Sequence, residues 1–248
     1  MINPLICVLS PRDIPQVKEG HETFSYIPHL WIKYWRAIEA YHILTHFFKT
    51  NKQFTHLVIS PDDLVVREEH YKSLSQSIQE HDFPVLSGVC NVDIAHPNML
   101  AICKTVLPNI IRKHRKHYDY YNLAKEKQHT GIIRVMFSGM PFLFMRRDIV
   151  EQVPLEGDTK YDPTRQHIEP KSFDLAFAYE CNQRNIPIFV DLGVKMLHLN
   201  GSGEYVLKVN TEVPKVYFNG EDLTNTYVKY IKEINPYNAR DRLNQIVP

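Results

Sequence analysis

The run Leu57-Val58-Ile59-Ser60-Pro61-Asp62-Asp63 constrains this chain more than any other segment. A short, β-branched apolar stretch suits a buried strand, and Pro61, which has no N–H to give a sheet ladder, ends it. Two carboxylates therefore stand at a strand's carboxyl end. In open α/β sheets ligands bind outside that edge, and hard oxygen donors there suit a divalent cation holding a diphosphate. Ser-Pro-Asp-Asp is equally ordinary turn and helix-start chemistry, so the plain structural reading is a capped turn.

With 248 residues, 44% of them apolar, the chain can bury the core of one domain, or of one domain plus an appendage. A net charge of +1 gives no broad basic field for gripping nucleic acid, so an anionic ligand must be met locally. Cys7, Cys90, Cys103 and Cys181 form no Cys-x-x-Cys pair, which argues against a zinc ribbon or a disulfide framework and for reduced, buried thiols. The start lacks the basic, then long apolar pattern of a signal peptide. No later stretch approaches the ~20 apolar residues of a membrane span. A soluble, cytoplasmic protein is the expectation.

Along the chain, Leu5–Leu9 reads as a strand closed by Ser10-Pro11-Arg12-Asp13, and residues 30–48 have helical spacing with a face of Trp31, Tyr34, Trp35, Ile38, Tyr41, His42 and Phe48. The spacing predicts a helix over 68–79, a strand over 84–89 and one or two helices over 99–127, broken near Pro108. Strand–helix alternation favours a largely parallel sheet with helices on its faces. Only about twenty residues separate the first strand's loop from the 30–48 helix, so the amino-terminal half of a nucleotide site would be abbreviated.

Residues 135–147 are too long and too interrupted for one regular strand, and Gly139 there allows a close backbone approach. Residues 151–170, rich in Pro, Gly, Asp and charge, read as a surface loop of the sort that serves as a lid. Residues 173–184 have helical spacing, and 186–190 and 194–199 read as strands. Asp174 falls in its helix's first turn, where the dipole favours an ionised carboxylate, and His198 ends a strand whose alternation puts Val194, Met196 and His198 on one side. Alone, each has a bland explanation, as a helix-start acid and a satisfied rim histidine.

The order of these parts is the stronger signal. With residues 58–66 as the acid-bearing strand, 138–147 as the strand beneath an acceptor site, Ser172-Phe173-Asp174 as an acid opening a helix and His198-Leu199 as a late histidine, the chain resembles the GT-A class of nucleotide-sugar-dependent glycosyltransferases. The likeness is to the family 2-like members most nearly, and covers residues 5–200. It implies an α/β, Rossmann-like GT-A fold, a mixed but mostly parallel sheet flanked by helices, with residues 1–200 as the transferase domain and 201–248 as a carboxyl-terminal appendage packing on the core.

Carried over by residue, the resemblance makes Asp63 and His198 metal ligands for Mn²⁺ (or Mg²⁺) and Asp174 the base that deprotonates an acceptor hydroxyl. Asp62 is assigned to ribose or to a metal-bound water, and Gly139 to the donor side. Pro11, Arg12 and Asp13 take the nucleotide, a UDP-sugar being favoured, with phosphate as an alternative partner for Arg12. Glycan transfer with inversion is the implied chemistry. Two positions depart from the family pattern: Ser60 or Pro61 stands where the first acid is usual, and Phe173 where Glu is usual. Retention of configuration therefore stays open.

Arg112-Lys-His-Arg-Lys-His117, followed by Tyr118, Tyr120 and Tyr121, is the one basic cluster with aromatics, read as a solvated helix face or as an element closing on a diphosphate. Other classes remain. A sugar nucleotidyltransferase would want a glycine-rich phosphate loop, which Ser10-Pro11-Arg12-Asp13 is not. A metal-dependent hydrolase would want more clustered acids and histidines. A catalytically inactive GT-A-like sugar- or nucleotide-binding protein fits the two departures.

Overall fold

The computed structural model describes residues 2–92, 96–104, 120–155, 173–199, 208–209 and 211–234. In chain order these hold β1 (Pro4–Ser10), α1 (Pro15–Glu22), β2 (His29–Lys33), α2 (Ala37–Thr50), β3 (His56–Pro61), β4 (Leu64–Val65) and α3 (Glu68–His81). There follow β5 (Val85–Val89), β6 (Met99–Cys103), β7 (Tyr120–Asn122), β8 (Ile132–Val135), β9 (Phe137–Ser138), β10 (Leu143–Arg146) and α4 (Arg147–Gln152). The last are α5 (Phe173–Gln183), β11 (Ile188–Lys195), β12 (Leu197–His198), β13 (Lys215–Phe218), β14 (Glu221–Asp222) and α6 (Thr224–Ile234).

Nine strands form one mixed sheet in the order β14-β13-β2-β1-β3-β10-β5-β11-β8. β1 pairs parallel with β2 and β3, β11 pairs parallel with β5, and β10 lies antiparallel between β3 and β5. β2, β1, β3, β5 and β11 therefore all point the same way, and their carboxyl ends share one edge. The central strands are buried on both faces, as near-continuous apolar runs require. Leu5, Cys7, Leu57 and Ile59 face a core with α2, α4, α5 and α6, while Ile6, Val8 and Val58 face Phe24 and α3. The fold is thus α/β, a large mixed sheet with helices on both faces.

Several expectations are corrected. The helical spacing over 30–48 covers two elements. Leu30 and Ile32 are buried between β1 and β13 and Trp31 turns to the opposite face, the alternation of a strand. The helix begins only at Ala37, where Glu39 accepts the Arg36 N–H at 3.1 Å. Pairing on both edges overrides the local periodicity. With α1 between them, β1 and β2 make a complete strand–helix–strand unit, so the amino-terminal half is not abbreviated. Residues 99–103 and 120–122 are strands, with β9 forming a small sheet ordered β7-β6-β9, where helices are expected over 99–127.

β11 runs unbroken from Ile188 to Lys195 with a register shift against β5, where two separate strands are expected. The described part of the carboxyl-terminal segment joins the core: β13 pairs with β2 inside the main sheet, and Val228 and Ile231 of α6 are fully buried. The basic run 112–117 and residues 156–170 of the expected lid lie outside the described residues. Among the described residues no helix is long and apolar enough to cross a membrane. All four cysteines are free and buried, their thiols raised by burial in Cys7, Cys90 and Cys181.

Candidate functional site

The shared carboxyl edge carries the candidate residues. Pro61 closes β3 in register with Leu9 of β1, so the loops after the two strands, residues 11–13 and 62–63, are neighbours. The chain then turns and re-enters as β4, which pairs antiparallel with β12, His198 opposite Leu64. Leu199 N–H donates to the Asp63 carbonyl at 2.7 Å. This two-strand ribbon brings His198 to Asp63, with Nε2 3.4 Å from Oδ2.

His198 Nδ1 lies 2.9 Å from the Asn91 carbonyl. A carbonyl only accepts, so Nδ1 carries the proton and Nε2 is the nitrogen turned to Asp63. Burial opposes protonation of His198, yet the Asp63 hydrogen bond and charge, with Asn91, lift its pKa above the ordinary imidazole value. Burial raises the Asp63 carboxyl, and the His198 bond and charge together with Arg12 more than reverse this, holding it below the usual carboxylate range.

Asp62 and Asp63 form a turn rather than extended chain. Both meet Arg12. The Arg12 backbone N–H donates to Asp62 Oδ2 at 2.8 Å, Nε reaches both Asp62 oxygens at 3.1 Å, and Nη2 bridges Asp62 Oδ1 (2.6 Å) and Asp63 Oδ2 (3.0 Å). Asp62 is 2% exposed. Its burial, with the adjoining Asp63 charge, leaves the carboxyl above its ordinary value despite Arg12. Its oxygens are thus turned to Arg12, where ribose or a metal-bound water is expected.

The rest of the 11–13 loop is tied to protein as well. Asp13, at φ 105°, accepts from Lys33 Nζ at 2.8 Å and Tyr34 Oη at 3.0 Å, and the Lys208 N–H donates to the Pro11 carbonyl at 2.8 Å. Burial raises the Asp13 carboxyl, the Lys33 and Tyr34 bonds outweigh that, and the net direction is down. Tyr34 is pushed up to about 12 by burial and by Asp13.

Asp174 sits in the first turn of α5, its Oδ1 accepting the Leu175 N–H at 2.8 Å. Gly139 provides the clearance below it: a Cβ there would lie 3.1 Å from the Ala101 Cβ, 3.3 Å from the Ala101 carbonyl oxygen and 4.0 Å from Asp174 Oδ2. The close approach expected of Gly139 is therefore to β6 and Asp174, where a donor contact is expected. Gly139 N–H donates to the Ala101 carbonyl, Ala101 N–H donates to the Cys90 carbonyl, and Asn91 bridges to Leu100. Backbone contacts from residues 90–91, just after β5, through β6 to β9 thus link the Asn91 that orients His198 to the floor of Asp174.

Reasoning from sequence misses Asn91, which acts through a carbonyl that every residue has, and Lys33 and Tyr34, hidden in the segment expected to be helical. Among the described residues no group of three or more His, Cys, Asp or Glu side chains could hold a metal ion. The Asp63–His198 pair, expected to hold one, offers two donor atoms, with Arg12 Nη2 3.0 Å from the same Asp63 oxygen. The pair's 3.4 Å separation suits two ligands each about 2.1–2.2 Å from one ion, with the remaining positions left to phosphate oxygens and water.

No family model matches the chain. No curated protein matches it either. Among solved structures it is similar to A197 from STIV, a viral protein, at 11% sequence identity and a TM-score of 0.50, covering 87% of this chain and 85% of that one. The likeness extends over most of both chains and concerns the fold alone.

Proposed function

We propose that this chain is a GT-A glycosyltransferase that moves a sugar from a nucleotide-diphosphate donor, UDP-sugar favoured, to a hydroxyl of a carbohydrate acceptor, with a divalent cation and with inversion. The observation that carries this reading is the Asp63–His198 pair. With Nδ1 committed to the Asn91 carbonyl, His198 presents Nε2 to a carboxylate oxygen 3.4 Å away, and where a proton bridges the pair in the ligand-free protein a divalent cation can take its place. Metal-ligating histidines are held in this way, the other ring N–H given to a carbonyl. The mixed oxygen and nitrogen pair suits Mn²⁺ or Mg²⁺, the nitrogen favouring Mn²⁺.

When bound, the ion supplies positive charge against the oxygen of the departing diphosphate. The chain's own residues do the rest. Asp63 and His198 fix the seat, and Asn91 fixes the imidazole tautomer. The 11–13 loop, beside them at the carboxyl edge, meets the nucleotide. Asp174 Oδ2 takes the proton of the attacking hydroxyl as the new bond to the anomeric carbon forms. The old bond to the phosphate oxygen breaks, and its electron pair leaves with the nucleoside diphosphate.

One observation favours a second reading, a binding protein without turnover: Arg12 already neutralises the two acids in this structure. A panel of nucleotide sugars, assayed for thermal stabilisation with and without Mn²⁺ and for donor hydrolysis, separates the two. Mn²⁺-dependent hydrolysis lost in Asp63→Ala supports the enzyme, and stabilisation without turnover supports the binder. No response to any nucleotide sugar refutes both.

A further inference from the structure

We propose that Arg12 is a latch on the cation seat, shut in the ligand-free protein and opened by the donor's diphosphate. The inference rests on the Asp63–His198 reading above and adds the regulation of that site. Asp63 Oδ2 is approached from two sides, by His198 Nε2 at 3.4 Å and by Arg12 Nη2 at 3.0 Å. A divalent ion seated between Asp63 and His198 therefore stands next to a guanidinium that shares its oxygen ligand, and the two positive charges repel. Ion binding alone is weakened for as long as Arg12 keeps this position.

The guanidinium has a pivot. Its Nε and its residue's backbone N–H are both held by Asp62, so Nη2 can give up its bonds to Asp62 Oδ1 (2.6 Å) and Asp63 Oδ2 (3.0 Å) while Arg12 stays anchored in the site. Nη1 makes no hydrogen bond to any described residue, and the side chain is 23% exposed, so one edge of the fork already reaches solvent. Turned from Asp63, the Nη1–Nη2 edge offers paired N–H donors suited to phosphate oxygens. A diphosphate entering at the carboxyl edge would take the guanidinium and the ion together, removing the repulsion that each alone would face. Ion and nucleotide then bind cooperatively, and by linkage each raises the other's affinity by the same factor.

The test measures free Mn²⁺ by electron paramagnetic resonance and UDP by calorimetry, on the full chain and on Arg12→Met. The latch predicts opposite signs: Mn²⁺ alone binds about tenfold tighter to Arg12→Met, UDP binds about tenfold weaker, and the coupling between them is lost, within the usual span of such couplings. A merely structural Arg12 would weaken both ligands together. Because Arg12→Met strands a buried Asp62, Arg12→Met/Asp62→Asn is measured in parallel and carries the same expectation. Equal or weaker Mn²⁺ binding in the folded variants overturns the latch. Asp63→Asn keeps the two ideas apart. If it abolishes Mn²⁺ binding while Arg12→Met leaves it unchanged, the seat stands and the latch falls. If Mn²⁺ binds regardless of Asp63, or does not bind any of the proteins, the seat and the latch fall together.

Discussion

Gly20 tests how the ribbon that carries the site is supported. It lies in α1, and a Cβ at this position would fall 2.2 Å from the Val66 carbonyl oxygen and 3.2 Å from its carbon. Val66 directly follows β4, the strand on which His198 is paired. Reaching an ordinary contact of 3.4 Å requires a separation of 3.4 − 2.2 = 1.2 Å between helix and strand. The obstacle is backbone, which cannot swing aside, so Gly20→Ala belongs at the upper end of the ~1–3 kcal/mol cost of overpacking. Alanine recovers about 1 kcal/mol of helix propensity. The net loss is about 2 kcal/mol, or roughly 4–8 °C in Tm for a chain of this length. Thermal unfolding followed by circular dichroism, with a urea midpoint as a check, measures it. A variant as stable as the parent, or more so, would refute the seating of α1 on residue 66.

Other outcomes follow from the same geometry. Burial holds His21 and, to a lesser degree, His29 neutral, with each His21 ring nitrogen engaged by His29 or Ser60. Their folded pKa values lie below the unfolded value near 6.5, so the unfolded state binds more protons, and stability that is full above about pH 6.5 falls as pH drops toward the folded values. Raised His198 contributes oppositely, its stability lost as pH rises through its folded pKa. In a His198→Gln background the urea midpoint is therefore lower at about pH 5.5 than at about pH 7.5, and a flat midpoint contradicts the buried imidazole pair. Asp62→Ala strips a part-buried guanidinium of its main partner. Breaking buried pairs costs about 3–5 kcal/mol, and the 23% exposure of Arg12 lowers this to about 2–3, read as a urea midpoint; a loss under about 1 kcal/mol would show Arg12 to be solvated independently. Asp174→Asn lowers kcat about 10²–10⁴-fold with the donor KM unchanged, and an unchanged kcat removes Asp174 as the base.

What was legible in the sequence is what local chemistry fixes. Pro61 cannot extend a parallel ladder, so the strand end and the acids beyond it could be read directly. The order of strands around Asp62, Asp63, Asp174 and His198 could be read as well. The misread segments are those in which tertiary pairing overrides a local pattern. Trp31, Tyr34 and Trp35 match a helical stripe until β1 and β13 engage both edges of β2. Residues 99–103 become a strand because β7 and β9 flank them. The site was half legible for a related reason. Side-chain identity marks Asp63 and His198, but nothing local says that residues 62–63 turn and so deliver both carboxylates to Arg12. The Asn91 carbonyl that sets the His198 tautomer leaves no trace in the sequence at all.

The most direct measurement is a crystal of the full chain grown with Mn²⁺ and UDP, and an anomalous difference map collected for manganese. A shared cation seat predicts one peak about 2.1–2.3 Å from both Asp63 Oδ2 and His198 Nε2, with phosphate oxygens completing the shell. Manganese bound elsewhere, with Asp63 still bridged to His198 by a proton, would contradict it.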